Sequence, residues 1–257
     1  MAITFVAKAD TSTTAATSIT LSVPAGAAAG DLLLAFVHTT GTKVTASAND
    51  FSNGANKWTQ MGHQLTGGSS ITSWAFYRIM QSGDTSWTFS TTASVKTQGS
   101  VLAYNESGTA KWLVTGSGDQ VAVNDNSALT NSAPLDAFVN DGVLLQVSFV
   151  FRSGLSLLTL THDVGTQRVS FVNGDGSMLL AVYDQIGTGN LESAFTSTAT
   201  STGSVDPTDH YAMTYSVQST PTSDMYDPAD LIDASVAVTS HVYKGRDTAA
   251  ADTTGAA

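Results

Sequence analysis

Five segments from the early part of the chain return, in the same order, further along it. Thr-Ser-Ile-Thr-Leu-Ser-Val-Pro at 17–24 is echoed by Ser-Ala-Leu-Thr-Asn-Ser-Ala-Pro at 127–134. Ala-Gly-Asp-Leu-Leu-Leu-Ala-Phe-Val at 29–37 is echoed by 140–150, which ends Val-Leu-Leu-Gln-Val-Ser-Phe-Val. Residues 70–79 match 177–186, residues 87–93 match 194–199, and residues 99–104 match 210–215. A shared order and an offset of about 110 residues mark a repeated structural unit rather than scattered chance likeness. Within these echoes Tyr77 is expected to superpose on Tyr183, one position out of strict register, and Tyr104 on Tyr215.

Each copy reads as about six short strands separated by turns, the spacing of a sandwich or barrel. Ile19, Leu21 and Val23 alternate with Thr20 and Ser22, and Trp87 and Phe89 with Thr88 and Ser90. That period of two gives a strand one buried and one wet face. Residues 32–37, in contrast, are apolar without interruption, which predicts a strand covered on both faces. Turns are expected at Pro24-Ala-Gly26, Gly67-Gly68, Gly83-Asp84, Asn173-Gly-Asp-Gly176 and Gly187-Thr-Gly189, where glycine supplies positive φ.

Composition supports the same class. Only 12% of residues are charged, so the Lys, Arg and Glu that stabilise surface helices are scarce. The expected fold is therefore all-β: an antiparallel β-sandwich, jelly-roll-like, with an internal duplication and a C-terminal arm. Residues 1–108 form the first repeat, 109–218 the second and 219–257 the extension. One large sandwich and two in tandem both satisfy this pattern.

The extension departs from the repeat. It opens on Ser-Thr-Pro-Thr-Ser, and Asp227-Pro228 then has the form of a helix N-cap followed by proline at the first helical position. Residues 235–243 alternate like a strand. Met225, Tyr226, Leu231, Ile232, Val236, Val238, Val242 and Tyr243 give this arm an apolar surface suited to an interface with another subunit.

Charge and residue types remove several function classes. A net charge of −11, with the ten Lys and Arg scattered, disfavours nucleic acid. Without cysteine there is no disulfide framework and no thiolate nucleophile or ligand. No apolar run is long enough for a membrane helix, and the N-terminus lacks the basic and apolar regions of a secretory signal, so no membrane partner and no export are expected. The five histidines form no closely spaced ligand pair, and the Asx-rich turns at 124–126 and 173–176 lack the bidentate Glu of a calcium loop. There is no Gly-x-Ser-x-Gly elbow, and the two glutamates, Glu106 and Glu192, do not suggest a carboxylate pair. No enzyme activity, cofactor or metal is expected. Trp58 and Trp112 stand outside the alternating runs and are the aromatics expected at the surface, where a glycan face can stack on them.

The pattern Pro-Ala-Gly-x(3)-Gly-Asp-Leu-Leu-Leu-Ala-Phe at 24–36, Trp58-Thr-x-x-Gly62, Trp74-Ala-Phe-Tyr-Arg78, Gly83-Asp84 with Trp87-Thr-Phe89, and Val101-Leu-Ala-Tyr104 resembles a β-sandwich module family of tailed-phage virion and phage-derived surface proteins. The likeness covers nearly all of the first copy and more weakly the second, which has no counterpart of Trp58. It implies no catalytic residues. It implies a virion structural protein made in the host cytoplasm, foremost a decoration or cement protein that stabilises a capsid through contacts between subunits. The expected partners are other virion proteins, either the major capsid protein or tail components, and further copies of itself. A glycan-binding adhesion module of a tail fibre or cell surface, and a tail or neck component, are the alternative roles.

Overall fold

The computed structural model describes residues 3–40, 47–48, 58–67, 71–107, 111–117, 121–123, 128–131, 138–151, 158–189, 195–201 and 209–220. These form antiparallel sheets, with no helix among the described residues. The first half contains β1 (Ile3–Ser22), β2 (Leu32–Thr40), β3 (Ser47–Ala48), β4 (Thr59–Gly67), β5 (Ile71–Ile79) and β6 (Ser86–Glu106). The second contains β7 (Lys111–Ser117), β8 (Val121–Val123), β9 (Ala128–Asn131), β10 (Phe138–Phe151), β11 (Leu158–His162), β12 (Thr166–Val172), β13 (Met178–Gly189), β14 (Phe195–Ser201) and β15 (Asp209–Thr220). The last strand thus runs two residues past the boundary expected at 218. Its end is tied down, because Ser219 Oγ donates to Glu106 Oε1 at 2.9 Å.

One main sheet has the order β1-β6-β2-β5-β4 and the other the order β7-β15-β10-β13-β12. Among the described residues no strand pairs across the boundary between β6 and β7. Segments 29–37, 70–79 and 99–104 of the first sheet and their echoes on β10, β13 and β15 hold matching places, whereas the echoes that include β9 and β14 fall in a separate sheet. The apolar strands β2 and β10 are central, flanked on one side by β5 and β13 and on the other by β6 and β15.

The two main sheets lie face to face over one shared core. Leu32, Leu34, Phe36, Leu102 and Tyr104 from the first meet Val143, Leu145, Val147, Phe149, Tyr211 and Tyr215 from the second. Contacts across this core align the strands. Phe36 approaches Tyr215 with ring centroids 5.8 Å apart, and His38 stacks on Phe149 at 4.2 Å. The arrangement is one large sandwich rather than two in tandem.

Each main sheet is also covered on its outer face, so the uninterrupted apolar run Leu32 to Val37 is fully buried, as predicted. In the first half the cover comes from the same strands. β1 and β6 are 20 and 21 residues long and pair along almost their whole length. Register shifts between Thr13 and Ala16 and between Ala16 and Ser18 let the ribbon bend, because a bulge kinks a strand and increases its twist. Ile19, Leu21, Trp87 and Phe89 then fold back over Leu33, Val37, Trp74 and Phe76. The short strands expected from the sequence are here two long ones. In the second half the cover is a separate sheet, β11-β14-β9, whose Leu160 packs on Val150, Leu179, Ala181 and Tyr183.

The glycines at 26, 83 and 176 take positive φ of 84°, 91° and 73°, as the turn sequences require. Gly187 and Gly189 do not form the expected turn. They belong to β13 and pair with Gly142 and Phe138 of β10. The equivalence of Tyr77 with Tyr183 is also corrected. Tyr77 packs against the shared core, whereas Tyr183 lies on the opposite, outer face of its sheet. A one-residue slip in a strand alignment inverts the face. Tyr104 and Tyr215 both point into the shared core.

Candidate functional site

The residues of the shared motif converge on one buried cluster. Arg78, at the end of β5, is 3% exposed. Its guanidinium lies 5.7 Å from the ring centre of Trp58 and 5.2 Å from that of Trp87. The two indoles meet edge-on at 5.2 Å. Arg78 Nη2 donates to Asp84 Oδ2 at 2.7 Å, and the same oxygen accepts the Gln81 backbone N–H at 2.8 Å. The Gly83-Asp84 turn therefore delivers a counter-ion to a buried arginine, and the aromatic faces add cation–π attraction.

Trp58 is thus not a surface aromatic. It is 2% exposed, packed against Trp87, Phe89 and the arginine. The sequence shows no alternating run around it because it stands immediately before the strand that follows. Trp112 is half-buried against the shared core. Replacing Trp58 with Ala should cost about 3–5 kcal/mol, the usual range for a buried aromatic, measured by urea unfolding.

The Gly30-Asp31 pair has an equally local role. Gly30 has φ 98°, and Asp31 Oδ2 accepts the Ala28 backbone N–H at 2.8 Å. Asp31 Oδ1 accepts from Asn105 Nδ2 at 2.7 Å. One carboxylate thereby closes the turn into β2 and ties it to the end of β6.

A third polar group joins the halves. Asp184 on β13 accepts Arg168 Nε at 2.9 Å to each oxygen, and Tyr104 Oη, from the opposite sheet, donates to Oδ2 at 2.9 Å. Arg168 also lies over the Phe5 ring, 4.5 Å from its centre. Burial pushes the Asp184 carboxyl above its ordinary value, while the hydrogen bonds from Arg168 and Tyr104 pull it back. Burial likewise raises the Tyr104 phenol well above its usual range, and the neighbouring Asp184 charge adds to this. Beside this clasp, Gln98 Nε2 donates to the Phe171 carbonyl, and Lys96 pairs with Asp175 Oδ2 at 2.5 Å.

The Asx-rich turn at 173–176 holds itself together. Asp175 Oδ1 accepts from Asn173 Nδ2 at 2.8 Å and from Ser177 N–H at 3.0 Å, while Asn173 Oδ1 accepts Met178 N–H at 2.8 Å. Partial burial works against ionisation of Asp175. The hydrogen bonds from Lys96 and Ser177 outweigh it and hold the carboxyl well below the usual range. Among the described residues no three His, Asp or Glu come together as metal ligands.

Three histidines sit inside, each bonded to a serine. Ser73 Oγ lies 2.7 Å from His38 Nδ1, Ser148 Oγ 2.8 Å from His162 Nε2, and Ser197 Oγ 3.0 Å from His210 Nε2. Burial lowers the His38 imidazole to about 3. His162 falls to about 3 for the same reason, helped by His210. Neutral imidazoles of such low basicity are poor general bases near neutral pH. Sequence reading placed no significance on these pairings, and the serine partners lie on other strands, where no local pattern announces them.

The arm residues Met225, Tyr226, Leu231, Ile232, Val236, Val238, Val242 and Tyr243 lie outside the described residues, as do the helical turn expected from Asp227 and the turn at 124–126. The fold and these clusters define an all-β sandwich whose recognisable motif residues bond to one another. Comparison with known proteins found no match among protein families, curated proteins or solved structures.

Proposed function

We propose that this protein is a non-catalytic structural component of a virion, foremost a decoration or cement protein on a phage capsid. The observation that carries the reading is the inward use of the motif residues. Trp58, Arg78, Asp84 and Trp87 stabilise one another in the core, as do Gly30, Asp31 and Asn105 at a turn. The pattern that resembles phage virion modules therefore describes a rigid β scaffold rather than a reaction centre. Such a scaffold acts by mass action: what binds only the assembled shell stabilises that shell. Its partners in this reading are the major capsid protein and further copies of itself. A position in the tail or neck draws on the same scaffold properties.

The glycan-binding alternative is less well supported. Trp58, Trp74 and Trp87 are buried, and Trp112 packs against the shared core, so the indole faces on which a sugar would stack are largely occupied.

In the proposed function residues 221–257 are the assembly arm, and strand addition to a neighbour is the mode that suits the alternating segment 235–243. Truncation after Thr220 keeps all of β15. The truncated protein is expected to melt close to the full chain but to lose self-association, followed by sedimentation, and binding to purified particles. Particle binding at full strength without the arm would refute this assignment.

A further inference from the structure

The two halves fill the outer spaces of their main sheets in opposite ways. In the first half Leu33, Val37, Trp74 and Phe76 meet Trp87 and Phe89. In the second, the outward positions of β10 and β15 carry Gln146, Ser148, His210 and Thr214, with His162 and Ser197 on the covering sheet. Gln146, Ser148, Ser197, His210 and Thr214 are all fully buried.

Most of this polarity is internally matched. Ser148 bonds to His162, and Ser197 to His210. Gln146 and Thr214 differ in that none of their side-chain polar atoms is matched. They are direct cross-strand partners on β10 and β15. Yet Gln146 Oε1, Gln146 Nε2 and Thr214 Oγ1 have no hydrogen-bond partner in the protein. Gly165 approaches the Gln146 amide closely, for with φ 90° it takes a conformation that favours glycine, and a Cβ there would stand 3.0 Å from Gln146 Oε1 and 3.1 Å from the Asp184 carbonyl. Evolution of a core rarely leaves an amide unbonded on both atoms, since buried polar groups without partners are costly.

We propose that Gln146 and Thr214 form a binding site for ordered internal water. The chemistry selects a small neutral ligand that both donates and accepts. Gln146 presents one acceptor oxygen and one donor nitrogen, Thr214 a hydroxyl that does either, and a buried water makes about three such bonds. An ion is disfavoured, because neither residue carries charge. The water completes the polar interior of the second half where the first half uses aromatic rings.

The test is a high-resolution crystal structure of the full-length protein, with thermal unfolding of Thr214→Val and Thr214→Ser. Ordered density bridging the Gln146 amide and Thr214 Oγ1 is expected. Thr214→Val should lower Tm by roughly 2–5 °C, and Thr214→Ser, which keeps the hydroxyl, should retain the bridging density. A dry site between the two side chains, or a Thr214→Val protein at least as stable as the parent, would overturn the proposal.

Discussion

Lowering the pH from about 7 to about 5 should cost this protein about 2–3 kcal/mol of stability before most carboxylates begin to protonate. The cause is fully buried His38 and, to a smaller extent, half-buried His162, both with imidazoles lowered to about 3. In the unfolded chain each has an ordinary value of about 6.5. As pH falls below that value the unfolded state takes up protons that the folded state refuses. The stability these residues preserve is therefore fully present above about pH 6.5 and is lost progressively towards about pH 3. At about pH 5 the gap is roughly 1.5 pH units, or ~2 kcal/mol for fully buried His38. Asp184 acts in the opposite sense. Its raised carboxyl is protonated earlier in the folded state, so it gains rather than loses stability as the pH falls towards the unfolded carboxylate range. Urea unfolding at a series of pH values measures the sum. His38→Gln should flatten the profile between about pH 6.5 and 4. An unchanged slope in that variant would show that another group governs the acid response.

The second large effect concerns the clasp between the halves. Asp184 is 1% exposed at its side chain, and Arg168 is its cation. Arg168→Ala leaves a buried carboxylate without a counter-charge, a change that costs about 3–5 kcal/mol. For a chain of this size that is a Tm fall of roughly 6–20 °C. Tyr104→Phe, which removes one hydrogen bond from the same oxygen, should cost only about 1–3 kcal/mol. The position of the clasp makes a further claim. Because both main sheets share one core, the halves should unfold together, and Arg168→Ala should shift a single calorimetric transition downwards. Two resolved transitions, with only the later half of the chain affected, would mean that the shared core does not couple them.

The clasp and the histidines suit a scaffold that has to remain one rigid body. Lys96 with Asp175, Gln98 with the Phe171 carbonyl, and Ser219 with Glu106 add polar ties between the halves around the same core. Each is modest alone, and surface ion pairs contribute little. Their value lies in fixing which strand of one half lies over which strand of the other, something apolar contacts alone specify poorly.

The strand content of this protein, the turns at Gly26, Gly83 and Gly176 and the double-sided burial of residues 32–37 were legible in the sequence. Those features are written in local periodicity: alternation of two for Ile19, Leu21, Trp87 and Phe89, continuous apolar residues for Leu32 to Val37, and glycine where φ is positive. The matching places of β2 with β10 and of β5 with β13 were legible in the echoed segments, whereas the departure of β9 and β14 into a separate sheet was not. What covers each face was not. Whether the halves are one sandwich or two depends on the surfaces that Leu34, Tyr104, Leu145 and Tyr215 present to each other, residues far apart in sequence. Trp58 looked exposed because its partners, Arg78 and Trp87, arrive from other strands. Tyr77 and Tyr183 fall in aligned segments but on opposite faces, because the period of two turns a one-residue slip into an inversion. Asp184 carried no signal in the sequence, because Tyr104 and Arg168 reach it from other strands. Periodicity fixes which residues turn inward, but only the packed sheets decide what they meet there, because side-chain contacts across a core carry no local signature along the chain.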